Sequence, residues 1–137
     1  MIKRFATTAG VAAVLGLAGL AGAGDDTPPT IKAAMGKLHK GGTAALPTVG
    51  KALKAPNPDW KGIQTTSKLI AELSEAITAL EPPKGDKADY EKQIKAYVVD
   101  TKALKEAADK EDVAKAGAAV AKLGASCKTC HAAHKGN

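Results

Sequence analysis

Two thiols and an imidazole stand together near the end of this 137-residue chain, in the run Cys127-Lys128-Thr129-Cys130-His131, which uses both cysteines of the protein. Three kinds of chemistry are open to such a cluster. The thiols can each add to one vinyl group of a haem to give thioethers, with the adjacent imidazole held under the iron as an axial ligand. They can form a disulfide or exchange with one. Together with His134 they can hold zinc.

The rest of the chain favours the first. A Cys127–Cys130 disulfide closes a loop too short to constrain much chain, and a thioredoxin-like pair belongs in a βαβ context that is missing here. Zinc sites usually separate their Cys and His pairs, whereas these four residues fall within one short run. The N-terminus also points to export. Lys3 and Arg4 precede an apolar run from Gly10 to Leu20, and Ala21-Gly22-Ala23 supplies the small residues of a cleavage site. This run is about half of what would span a bilayer. Residues 1–23 are therefore expected to be a signal peptide and residues 24–137 one periplasmic domain, without a membrane segment after cleavage. A covalent haem c, one per chain, is the expected cofactor.

Cleavage removes Lys3, Arg4 and Phe5 and lowers the formal net charge of +6 by two. What remains is a mildly basic surface of lysines interleaved with Asp and Glu. Without stacking aromatics beside it, such a surface does not read as a nucleic-acid site. Only Trp60, Tyr90 and Tyr97 are left as aromatics, and Ala is the commonest apolar residue. Small side chains leave space between helices that a bound group can fill.

Positioning the motif falls to helices, since three-and-four apolar spacing runs from residue 27 onward with no strand-like alternation. A first helix is predicted from Thr27 as N-cap, with Pro28-Pro29 in its first turn, to about Lys40; its inward stripe is Ile31, Met35, Leu38 and His39. Gly41 to Pro56 reads as a long connection with at most a short helix around Val49 to Leu53. Asn57-Pro58-Asp59 caps a second helix with a heptad seam, Ile63, Ile70, Ile77 and Thr66, Leu73, Leu80, ending at Pro82-Pro83. Gly85-Asp86 opens a third, striped by Tyr90, Ile94, Tyr97, Thr101, Leu104 and Ala108. A short turn over Asp109 to Asp112 leads to a fourth, from about Glu111 to His134. The inner face of that last helix is Val113, Gly117, Val120, Leu123, Gly124, Cys127 and His131, with both glycines expected to admit a close neighbour. His134 is expected to face solvent. These elements specify an all-α fold, an antiparallel four-helix bundle with haem c near its C-terminus.

Any second iron ligand must come from upstream, where Met35 and His39 are the candidates. If the first and last helices are antiparallel neighbours, Met35 lies about 10 Å along the first and His131 about 9 Å from the chain end, so the two are level. His39 lies roughly 6 Å deeper on the same face. Met35 is favoured, although a Met on an apolar stripe is more often core filling.

A C-terminal Cys127-x-x-Cys130-His131 on the last of four helices resembles the class II cytochromes c, the cytochrome c′ family, across essentially the whole mature chain. The resemblance implies that Cys127 and Cys130 bind haem, that His131 is the proximal ligand, and that Met35 matches the distal Met of six-coordinate members. Five-coordinate members leave that face open to nitric oxide or carbon monoxide, which is the alternative function. Where the family often has an aromatic and then a basic residue after the haem His, this chain has His134 and Lys135. Redox partner proteins, steered by lysines, are the expected partners, and homodimers are common in the family. No Ser/His/Asp set, carboxylate pair or phosphate loop is visible, so electron transfer rather than enzyme catalysis is expected.

Overall fold

The computed structural model describes residues 30–136. The expected signal peptide, Thr27 and Pro28-Pro29 lie outside them. Five helices follow in order: α1 (Ile31–His39), α2 (Ala45–Ala52), α3 (Trp60–Ala76), α4 (Lys87–Asp109) and α5 (Val113–His134). Among the described residues no helix is long and apolar enough to cross a membrane.

Side-chain oxygens start four of the five. Thr30, not Thr27, caps α1, its Oγ1 accepting from the Ala33 amide at 3.1 Å. Asp59, Asp86 and Asp112 do the same for Gly62, Asp89 and Lys115 at 3.2, 2.8 and 2.9 Å. Each satisfies one amide that the first turn leaves without an intrahelical acceptor. Between α4 and α5 the chain turns through Glu111 at φ 54°, and the Asp112 and Glu111 amides donate to the Ala107 and Ala108 carbonyls. That is a left-handed helix stop filled by a residue with a side chain.

The connection after α1 holds more helix than its Gly and Pro content suggested. Pro47 falls in the first turn of α2, where its missing N–H breaks no bond, and Leu46 and Val49 are buried. The four expected helices are α1, α3, α4 and α5, and the short helix allowed in the connection is α2, which begins at Ala45 rather than near Val49. α3 packs on α4 and α4 on α5, while α2 bridges α3 and α5. α1 lies against α2 and α3, and none of its Cα atoms comes within 8 Å of one in α4 or α5. The expected direct pairing of the first and last helices is thus replaced by a gap, because α2 takes the place beside α5.

The core is Leu38, Val49, Ile63, Ile70, Ile77, Tyr90, Ile94, Leu104 and Leu123 with the alanines between them. Burying each large aliphatic side chain is worth about 1.5–3 kcal/mol over leaving it exposed. Two details of the expected faces change. On α3 the second inner row is Ser67 and Ser74, both fully buried, while Leu73 and Leu80 are only partly buried. Small hydroxyl residues let the neighbouring helix approach where leucines would hold it off. On α5 the buried face is Ala116, Ala119 and Leu123; Val113 is exposed, and a Cβ on Gly117 or Gly124 would meet nothing within 4 Å. Those glycines admit no close neighbour.

Candidate functional site

The gap between α1 and α5 opens into a narrow crevice, partly open to solvent. Met35 and His39 line it from α1, Gln93, Ile94 and Tyr97 from α4, and Ser126, Cys127, Cys130 and His131 from α5.

Helical spacing places the motif. Cys127 and Cys130, three residues apart, share the side of α5 that faces the crevice, while Lys128 and Thr129 point outward and are exposed. Both thiols are free. Burial pushes each of them up, with the neighbouring Cys127 and Asp89 charges adding to the effect at Cys130. They are accordingly held as neutral thiols, in which form nucleophilic exchange with a disulfide is slow. The Cys127 thiol donates to the Leu123 carbonyl at 3.3 Å. His131 stands exposed at the mouth.

The opposite wall is polar at one point. His39 Nε2 lies 2.8 Å from Tyr97 Oη, and His39 Nδ1 lies 3.9 Å from Cys127 Sγ. Burial, and then the charge of His131, hold the His39 imidazole below its ordinary value, so it is neutral at pH 7. Burial raises the Tyr97 phenol, and the charges of Cys127 and Cys130 raise it further, so it keeps its proton. Gln93 and Ser126 were not singled out from sequence, and Tyr97 was read there only as part of the inward stripe of its helix, with no role assigned. The signal for Tyr97 was a phenol on the apolar stripe of α4, which needs a partner when buried.

His134 does not face solvent. It is 3% exposed, with Nδ1 at 3.2 Å from the Lys84 carbonyl, Nε2 at 3.0 Å from Asp89 Oδ2 and the edge of Tyr90 against its ring. The last turn of α5 packs on the start of α4, and the loop before α4 folds over it. Gly85, at φ +85°, makes this approach, since a Cβ there would stand 2.6 Å from both His134 Nδ1 and the Ala133 carbonyl. Among the described residues no group of three or more His, Cys, Asp or Glu side chains is placed to hold a metal ion. Trp60 lies partly buried against the core at the start of α3 and takes no part in the crevice.

Two thiols on one helical face, an imidazole beside them and a partly apolar crevice in a helical bundle are the features of a c-type haem protein. Residues 84–135, which span α4 and α5 with the loop before them, match the family described as Cytochrome C′. Over these residues, which carry the Cys127-x-x-Cys130-His131 run, the chain is similar to that family. No curated protein and no solved structure matches the chain. The residues of the crevice fit haem c: thiols positioned for two thioethers, a neighbouring nitrogen ligand, and Ile94 and Met35 as apolar wall.

Proposed function

We propose that the protein is a periplasmic electron carrier in which Cys127 and Cys130 hold one covalent haem c and His131 and Met35 are its axial ligands. The observation that carries this reading is that Met35, on α1, and the motif, on α5, line one crevice across a gap that α2 keeps open. Haem c supplies the one-electron iron couple when bound. The chain supplies two thioether anchors, an imidazole on the α5 side and a thioether sulfur on the α1 side, and it shields the group from water with Ile94, Tyr97 and the core behind them. Met ligation raises the potential relative to a second imidazole. Lysines around the bundle steer an acidic redox partner, and a homodimer fits the family habit.

A second reading has one observation in its favour. α1 is nine residues long and its backbone approaches neither α4 nor α5, so Met35 can leave the iron at little cost to the bundle. An open face would then bind nitric oxide or carbon monoxide. Optical spectra of the oxidised and reduced protein, with and without carbon monoxide, separate the two. Low-spin bands indifferent to the gas are expected, and Met35→Ala should convert them to high-spin bands that respond to it. High-spin bands in the unaltered protein would give the gas-binding reading first place, and absence of covalent haem after expression with a maturation system would overturn both.

A further inference from the structure

His39 stands in the same crevice as Met35 and carries the stronger ligand for iron, an imidazole, so something must decide between them. We propose that Tyr97 makes the choice: its hydroxyl locks His39 in the Nδ1–H form and occupies the one free lone pair of the ring, which an iron would otherwise need. This inference rests on the haem reading above.

The argument is an inventory of hydrogens along one chain of contacts. A neutral imidazole has one N–H donor and one lone-pair acceptor. His39 Nδ1 faces Cys127 Sγ at 3.9 Å, and the Cys127 thiol directs its own hydrogen to the Leu123 carbonyl at 3.3 Å. The sulfur is therefore left to accept. Conversion to a thioether removes that hydrogen and leaves the sulfur an acceptor only, so the contact with His39 then requires Nδ1–H. Nε2 is in turn the acceptor, and the Tyr97 hydroxyl, 2.8 Å away, must donate to it. Tyr97 is 6% exposed and Thr101, one turn along α4, is fully buried, so water does not compete for the phenol. The rings meet at a centroid distance of 5.9 Å with a 59° tilt, hydroxyl to nitrogen rather than face to face. Iron binding by His39 needs the Nε2 lone pair, which the phenol occupies, or the Nδ1 lone pair, which the proton occupies. Met35 has no such commitment. Tyr97 is on this account a positioning residue that sets the axial ligand without touching the metal.

The test uses the haem-loaded full chain and reads spin state by optical and electron paramagnetic resonance spectra. Met35→Ala should be high-spin, because locked His39 does not move in. Adding Tyr97→Phe should restore a low-spin spectrum of bis-imidazole type, and adding His39→Ala to that pair should abolish it again. A Met35→Ala protein that is already low-spin, and loses this with His39→Ala, would overturn the proposal, as would a Met35→Ala/Tyr97→Phe protein that stays high-spin. If the unaltered protein is itself five-coordinate, the Met35 reading fails separately. In that case Tyr97→Phe alone should turn the iron low-spin, and no change overturns the lock. Nitrogen NMR of the unaltered protein, reduced or as its carbon monoxide adduct, gives a check independent of any variant: His39 should carry its proton on Nδ1. A proton on Nε2 would overturn the assignment. If no haem is attached, the same NMR measurement on the protein as isolated still decides the tautomer, while the function reading fails by itself.

Discussion

Ser67 carries a hydroxyl with no hydrogen-bond partner at a fully buried position of α3. An orphaned buried hydroxyl opposes folding, so Ser67→Ala should raise stability by about 1 kcal/mol, read from urea unfolding. A clear loss instead would show that the oxygen is partnered. The two buried tyrosines give a pH dependence with a definite sign. Burial raises the phenols of both Tyr90 and Tyr97. The unfolded chain releases its phenol protons from about pH 10 while the folded chain retains them. The unfolded state binds fewer protons in that window, so the contribution of these groups is complete below pH 10 and is lost as pH rises above it. Urea midpoints at about pH 9 and pH 11 should differ more for the unaltered protein than for Tyr97→Phe. Equal differences would count against a buried, proton-retaining Tyr97. At this scale the sequence was most legible where function is local. Cys127, Cys130 and His131 stand out because they fall in one short run, and the structure brings all three to one crevice. His134 was misjudged because its partners, Lys84 and Asp89, are 50 and 45 residues away.

Helix beginnings were readable where an oxygen-bearing residue meets an apolar period, as at Asp59 and Asp86, while the start expected at about Glu111 falls at Val113, behind the Asp112 cap. They were less so at Thr30, where Thr27 offered a second cap of the same chemistry three residues earlier. α2 was underestimated for a physical reason. Pro and Gly disfavour a helix interior, but Pro47 sits where no amide is required. Glycines show most plainly what spacing cannot tell. Gly85 and Gly117 look alike in sequence, yet one is wedged against α5 with φ +85° and the other faces open space. Gly85→Ala should cost about 1–3 kcal/mol through backbone strain and displacement of His134. Gly117→Ala should add roughly 0.5–1 kcal/mol by restricting the unfolded chain within a helix. Thermal unfolding of the pair checks both signs, and matching effects would mean that the two sites are not distinguished as described.

The whole molecule was expected as four helices with the first and last side by side, and the bundle class held while the neighbours changed. Apolar periodicity tells which face turns inward, not which helix it meets, so α2 between α3 and α5 could not be read from any one segment. The same arrangement puts Cys127, Cys130 and His131 on α5, which packs on α4 and is joined to it by three residues, whereas α1 makes its packing contacts with α2 and α3. Contacts of short sequence separation form early because little loop entropy is lost in closing them. The hairpin of α4 and α5 should therefore assemble first on refolding, bringing Tyr97 beside Cys127, and α1 should dock late. Truncating Leu104 or Leu123 should then slow refolding, whereas truncating Leu38 should mainly speed unfolding, as stopped-flow chevrons of the protein would show. The opposite pattern would place α1 in the nucleus. With that order of events, Cys127, Cys130 and His131 stand uncovered in a half-built molecule, and the helix bearing Met35 and His39 arrives afterwards as the last wall of the crevice.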